Sequence, residues 1–304
     1  MIKIFGHKAP DTDATGSAII WSWFLGTKDV EATPYVLGEP NTEAAFVLTR
    51  WGYTTPALLQ EVDADDMVII VDTNNPAELP EGINDATVIE IIDHHMLVGG
   101  LKTKQPINIT IEPVAATATV MANMMGDDLA TAPDAIKGLI LSCILSDTLE
   151  YRSPTTTDVD VALAESLAEE LGLDISAYAA EMFAAKSDVS HYTDAELLRL
   201  DSKEYAVDGT KFRVSVLETT SPETVLSRKA SLIDTMPLVA TEDGVDQVLL
   251  FVVDILKEQA TLLIPNDMVK QVAQKSFDVN VTGDNVILPG VVSRKKQIIP
   301  NLAV

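Results

Sequence analysis

Histidine is scarce in this chain, four in 304 residues, and three of the four lie beside aspartates where apolar runs stop. One cluster is Gly6-His7-Lys8-Ala9-Pro10-Asp11-Thr12-Asp13; the others are Val71-Asp72-Thr73-Asn74, Asp93-His94-His95 and Ser146-Asp147-Thr148. Each has a plain structural reading. Asp11 or Asp13 can cap the apolar helical stretch that follows, Asp72 can form a turn, and a histidine after a strand can be a hydrogen-bonded structural residue. Asp147 can end a helix, although a carboxylate suits that end poorly because the dipole there is already negative. Gathered together, these carboxylates and imidazoles would repel one another severely without cations, so bound divalent metals follow from the charge count. Acids and imidazoles without a thiolate favour ions such as Mn²⁺ or Co²⁺ over a structural Zn²⁺. The donors suffice for two ions with one or two aspartates bridging, and ions about 3.5–4 Å apart suit hydrolysis of a phosphoryl bond.

A complementary cluster lies near the other end of the sequence. Ser293-Arg294-Lys295-Lys296-Gln297 places three cations side by side in a chain with only 21 lysines and arginines. The segment could be a solvated basic turn. It could equally clamp phosphate, because a guanidinium grips two oxygens at once and ammonium groups supply point charge. Lys203 is a weaker candidate of the same kind, a surface lysine if it acts alone.

The elements that must position these residues are legible as alternating patterns. Ile2–Phe5, Met67–Val71 and residues 88–92 are short, apolar and β-branched, as strands buried on both faces are. Between them, residues 14–25 and 41–51 carry apolar side chains at helical spacing. This order predicts a parallel sheet with helices on both faces. Helical periodicity continues over Thr117–Met125, residues 135–146 and Asp158–Leu171. Ligands bind beyond the carboxyl ends of strands in such sheets, which is where three of the four acidic clusters fall, so they can converge on one cleft. Residues 186–194 are polar and aperiodic and read as a linker into a helix over 195–202. Strands at 212–217, 247–253 and 260–263, with helices near 222–234 and 266–275, make the second domain a smaller α/β unit.

Composition narrows the possibilities. The length suggests two domains. Forty-six acids against 21 bases leave a net charge of −25, which opposes long-range attraction to nucleic acid or an anionic membrane. Any anionic substrate must then meet metal or clustered basic side chains. Cys143, the only cysteine, lies in an apolar run and reads as inert filling. The first residues lack the apolar stretch of a secretion signal, and no run approaches the ~18 apolar residues of a membrane span, so a cytoplasmic protein is expected.

With these residues in place, the chain resembles the family II, manganese-dependent inorganic pyrophosphatases of the DHH phosphoesterase superfamily. The resemblance runs over nearly the whole sequence, and the Ser-Arg-Lys-Lys-Gln segment is what points to the pyrophosphatase branch. It implies a DHH metal-binding domain over residues 1–187, a hinge at 188–195, and a C-terminal substrate-binding domain over 196–304, with the active site in the cleft between them. It implies that His7 and Asp11 bind one metal and Asp13 and His94 the other, with Asp72 and Asp147 bridging or shared. His95 would sit near the substrate and help protonate the departing phosphate. Lys203, Arg294 and Lys295 would hold pyrophosphate, with no direct contact assigned to Lys296. Two Mn²⁺ per subunit are expected, Co²⁺ being a possible substitute, with Mg²⁺ accompanying the substrate. In-line attack by a metal-bridging hydroxide would give two orthophosphates, and a homodimer would form through the first domain. One departure from the family pattern is Thr73-Asn74-Asn75 after Asp72, where His-Asn-Glu is usual. The rival readings are a DHH phosphodiesterase acting on short oligonucleotides or cyclic dinucleotides, and a metal-binding protein without turnover. Against the first, Gly99-Gly100 is followed by Leu101-Lys102 rather than leading to a histidine, and aromatic content is only 5%.

Overall fold

Strands and helices alternate through the first 186 residues because short β-branched runs are separated by longer stretches of helical periodicity. In chain order these are β1 (Ile2–Phe5), α1 (Thr12–Thr27), β2 (Ala32–Val36), α2 (Thr42–Arg50), β3 (Ala57–Leu58), β4 (Met67–Val71), β5 (Thr87–Asp93) and β6 (Asn108–Ile111). Four helices follow: α3 (Thr117–Met125), α4 (Asp134–Thr148), α5 (Asp158–Leu171) and α6 (Ile175–Lys186). The computed structural model describes every residue from Met1 to Val304 and divides into two units, Met1–Lys186 and Ser187–Val304.

The six strands of unit 1 form one parallel sheet in the order β3-β2-β1-β4-β5-β6. From β1 the chain builds outward through β2 and β3 on one side, then returns to build β4, β5 and β6 on the other. The order therefore reverses between β1 and β4, the position where open α/β sheets form a crevice at their carboxyl ends. Two helices flank this crevice and are buried nearly all round. Residues 12–21 of α1 are all buried, as are residues 136–146 of α4, as expected of helices enclosed in a core rather than lying on a surface.

Close approach of these helices depends on two glycines. A Cβ on Gly16 of α1 would lie 2.5 Å from Cys143 Sγ on α4, and one on Gly138 of α4 would lie 2.1 Å from the Trp51 ring just after α2. The indole is held there because Trp51 Nε1 donates to Tyr178 Oη at 2.8 Å and to Ser142 Oγ at 3.1 Å. Cys143 is fully buried, as its apolar run predicts, and its environment pushes the thiol well above its usual range, burial first and the nearby acids second.

Unit 2 comprises α7 (Asp194–Leu200), β7 (Ser202–Val207), β8 (Thr210–Thr219), α8 (Glu223–Leu226), α9 (Lys229–Asp243), β9 (Gln247–Asp254), β10 (Gln259–Leu263), α10 (Asp267–Phe277), β11 (Asn285–Pro289) and α11 (Ile299–Asn301). Its sheet runs β11-β10-β9-β8-β7 and is antiparallel except between β8 and β9. Alternate residues of β9 serve two cores: Leu249, Phe251 and Val253 face α10, and Val248, Leu250 and Val252 face α7 and α9. Two sequence expectations are corrected here. The helix expected over 195–202 ends at Leu200, and Ser202 already belongs to β7. The helix expected over 222–234 is two helices, and the second continues to Asp243 through Pro237, although proline normally removes one helical hydrogen bond.

The two helical glycines of contrasting surroundings give a test of this packing. Gly138→Ala forces its methyl into a pinned indole, and overpacking of about 1–3 kcal/mol outweighs the gain in helix propensity. The melting temperature should fall by several degrees. Gly26→Ala in α1 meets no atom within 4 Å and should leave the melting temperature unchanged or raise it. Equal effects of the two substitutions in a thermal melt would contradict the assignment of the α4–Trp51 contact.

Candidate metal centre

Three adjacent strands deliver acids and histidines to the same edge of the unit 1 sheet. Asp11 and Asp13 follow β1, Asp72 follows β4, and Asp93, His94 and His95 end β5 or follow it. Asp147 comes from the last turn of α4. Asp11 serves two ends at once: one oxygen caps α1 by accepting from Ala14 N at 3.0 Å, and the other lies 3.7 Å from His7 Nε2. Asp11 thus caps the helix and stands in the acidic cluster at the same time.

The cluster centres on Asp72, which is 1% exposed. Its Oδ2 lies 3.4 Å from His7 Nε2, and its Oδ1 lies 3.4 Å from His94 Nε2 and accepts from Thr117 Oγ1 at 3.0 Å. The residue has φ of +58°, a left-handed conformation that aspartate tolerates better than most side chains, and Asp72 N is held to Ile92 O at 2.9 Å. Donor atoms of His7, Asp11 and Asp72 lie within 4.8 Å of one another, as do those of Asp13, His94 and Asp147 and those of Asp72, His94 and His95. The first two triads meet at the two oxygens of Asp72, and the third overlaps both.

Surrounding groups fix the orientation of these side chains. Helix α3 starts at Thr117 with no capping side chain from Ala116, and Asp13 of α1 takes that place. Its carboxylate accepts from Thr117 N at 2.6 Å and from Ala118 N at 3.1 Å, so the positive end of α3 supports its charge. His94 Nδ1 lies 3.2 Å from Val114 O; a carbonyl only accepts, so Nδ1 carries the proton and Nε2 faces the acids. His95 Nδ1 lies 2.8 Å from Asp93 Oδ1, and Asp93 Oδ2 accepts from Asn74 Nδ2 at 2.6 Å. This is where the departure from the family pattern sits. Thr73 donates to Glu78 at 2.7 Å, while Asn74 spans Asp93 and the loop at Met96 and Val98.

Titration behaviour records the crowding. Burial raises Asp13, and the charge of Asp72 raises it further. Asp147 stands well above its usual range for the same two reasons, burial and then the charges of Asp13 and Asp72. Burial disfavours ionised Asp72 as well, but hydrogen bonds from His7 and His94 outweigh it and hold that carboxyl well below the usual range. Burial lowers His7, yet its bonds to Asp11 and Asp72 prevail and raise it to about 10. Protons thus occupy part of a donor set of carboxylate oxygens and imidazole nitrogens, a set that suits divalent cations of intermediate hardness.

The basic residues gather in unit 2. Lys203 on β7, Arg294 and Lys295 line a cavity of about 500 Å³ together with Asp201, Tyr205, Glu218 and Ser293. Arg294–Ile298 form a short π-helical turn, shaped by the rest of its own motif. Gln297 Oε1 accepts from Val292 N and Ser293 N, both at 2.9 Å, and Ser293 Oγ accepts from Lys296 N at 3.3 Å. Arg294 is not free: its Nη1 and Nη2 each donate to Asp201 at 2.8 Å, to the carbonyl and the carboxylate respectively. Lys296 is exposed and does not line the cavity. His7, Asp11, Asp13, Asp72, His94, His95 and Asp147 therefore gather in unit 1, and Lys203, Arg294 and Lys295 in unit 2. Sequence reading missed the part played by Thr117 and Glu43, which comes from partners distant in the chain.

Comparison with known proteins agrees with this division. Residues 1–147 match the DHH family N-terminal domain and residues 180–303 match the DHHA2 domain. A protein of Deinococcus radiodurans named as a probable manganese-dependent inorganic pyrophosphatase is 39% identical, covering 99% of this chain and 98% of that protein. The manganese-dependent inorganic pyrophosphatase of Bacillus subtilis is 37% identical over 99% of this chain and 97% of its own. Among solved structures, a putative family II inorganic pyrophosphatase of Methanococcus jannaschii aligns with a TM-score of 0.61 and 33% identity, covering 99% of this chain and 98% of that one. On the strength of matches that span both units, the chain belongs to the family II, manganese-dependent inorganic pyrophosphatases of the DHH superfamily.

Proposed function

We propose that the protein hydrolyses inorganic pyrophosphate to two orthophosphates at the acidic edge of unit 1. One observation carries the reading: two ligand triads joined through the two oxygens of Asp72, with all donor atoms of each triad within 4.8 Å. In this reading His7, Asp11 and Asp72 hold one Mn²⁺ and Asp13, His94 and Asp147 the other, with Asp72 shared and Asp147 a second candidate bridge. When bound, such a pair of cations supplies a hydroxide nucleophile at neutral pH and neutralises the phosphoryl oxygens. Co²⁺ is a candidate substitute, and Mg²⁺ is proposed to arrive with the substrate.

The chain's own residues do the rest. Asp93 holds the proton of His95 on Nδ1 and raises the affinity of the ring for a second proton, which leaves half-exposed Nε2 to donate to the departing phosphate. Lys203, Arg294 and Lys295 supply positive charge to the substrate. Nη1 and Nη2 each give one N–H to Asp201, so Arg294 keeps its Nε–H and one N–H on each Nη for phosphate oxygens. Residues 188–195 are the proposed hinge between a metal-binding domain at 1–187 and a substrate-binding domain at 196–304. A homodimer through the first domain is the proposed assembly; the open edge of β6, with Ile109 half exposed, is a surface available for it. No helix is long and apolar enough to cross a membrane, and a cytoplasmic location is our expectation.

Steady-state kinetics with pyrophosphate and Mn²⁺ test the division of roles. Asp13→Ala should lower kcat by orders of magnitude, whereas Arg294→Ala should raise KM about tenfold or more with a smaller change in kcat. Normal turnover by Asp13→Ala would refute its place among the ligands. Chelator-stripped protein should also gain stability on adding Mn²⁺, about 2.7 kcal/mol for each ion at a hundredfold excess over its Kd. His7, raised to about 10, carries a proton at neutral pH that a cation must displace. Mn²⁺ affinity should therefore increase from about pH 7 to about pH 9 with net proton release in calorimetry. Affinity that falls over this interval would contradict the ligand role of His7.

A further inference from the structure

Glu43 is the second residue of α2, a place where an acid ordinarily lies in solvent near the helix amides. Here it is fully buried beside an already acidic cluster. Three donors converge on its Oε2: Thr12 Oγ1 at 3.2 Å, Ser146 Oγ at 2.8 Å and Lys186 Nζ at 3.1 Å. Its Oε1 is also buried and has no partner. Thr12 stands between Asp11 and Asp13, and Ser146 immediately precedes Asp147. The same oxygen thus ties together two segments 134 residues apart, each of which carries cluster acids.

The behaviour of α4 shows that this tie is specific. Ser142 and Thr148 donate their hydroxyl protons to carbonyls four residues back, at Gly138 and Ile144. Ser146, between them, donates to Glu43 instead. Just beyond, Leu149, Glu150 and Tyr151 all have positive φ, so the chain leaves α4 through a left-handed turn that holds the helix end in place. Lys186 balances the charge of Glu43 from the last residue of unit 1.

We propose that Glu43 is a positioning residue for the cation site, setting the distance between the acids at the start of α1 and Asp147 at the end of α4. The proposal rests on the reading that these acids hold divalent cations. Ligands fixed in this way need no rearrangement when the ion arrives, and groups behind the ligands commonly change metal affinity about 10–100-fold.

The test is Mn²⁺ titration of the chelator-stripped, full-length protein by calorimetry, with circular dichroism to verify folding. In Glu43→Gln the amide oxygen can take the place of Oε2 and the NH₂ that of unpartnered Oε1. The tie survives without the charge, and Mn²⁺ affinity should stay within about threefold of the unmodified protein. Glu43→Ala removes the tie and should weaken binding of at least one Mn²⁺ about tenfold or more. Should the alanine variant fail to fold, Ser146→Ala removes only one donor and should weaken binding several-fold. Unchanged affinity in folded Glu43→Ala or in Ser146→Ala would overturn the proposal. So would Glu43→Gln binding as weakly as Glu43→Ala, because charge rather than the tie would then be decisive. Failure of the unmodified protein to bind Mn²⁺ would overturn the metal reading and this proposal together, a result separable from the others.

Discussion

Carboxylates that share a buried volume resist ionisation, and much of unit 1 is arranged around that constraint. Asp13 and Asp72 are nearly inaccessible to water, with Asp147 beside them. The protein answers with fixed positive partners rather than bulk solvent. The amides that open α3 support Asp13, the imidazoles of His7 and His94 flank Asp72, and Lys186 faces Glu43. These partners stabilise some of the charge but leave Asp13 and Asp147 holding on to protons. Such a site costs stability in the metal-free protein and is relieved by an incoming divalent cation, which makes folding and loading thermodynamically linked.

The sheet explains why such a cluster can be assembled from distant residues. Parallel strands β1, β4 and β5 are neighbours and end at the same edge, so any residue following them is brought to one place whatever its sequence separation. Reversal of strand order between β1 and β4 opens space there. The helices α1 and α4 add the remaining acids from opposite ends, and the glycine-mediated approach of α1 to Cys143 brings those ends together. In unit 2 the logic is complementary. A short π-helical turn over Arg294–Ile298, braced by Gln297 and Ser293, presents Arg294 and Lys295 beside Lys203, a local concentration of positive charge in a chain of net charge −25.

Much of this was readable in the sequence because local signals coincide with function. Asp11 announces a helix start and stands in the proposed cation site, and the β-branched runs before Asp72 and Asp93 mark strand ends. What escaped was set by contacts rather than by neighbours. Glu43 looks like an ordinary acid in a first helical turn, and only the arrival of Thr12, Ser146 and Lys186 makes it a buried anchor. Thr117 looks like the polar start of α3 until Asp13 and Asp72 come to it. Strand β7 was hidden because Lys203 and Glu204 interrupt its hydrophobicity at the sheet edge, and β2, β3 and β6 are short with few fully buried residues. Helix α9 runs through Pro237 to Asp243, beyond the residue 234 at which its pattern fades, because Met236, Val239 and Ala240 pack into the core.

The central claim is that the acids and histidines of unit 1 form one paired cation site rather than a set of separate turn and capping residues. Crystals grown with Mn²⁺ and measured at the manganese absorption edge test it most directly. The account predicts two anomalous peaks per chain, one among His7, Asp11 and Asp72 and the other among Asp13, His94 and Asp147, with Asp72 in contact with both. A single peak, or peaks remote from Asp72, would contradict it.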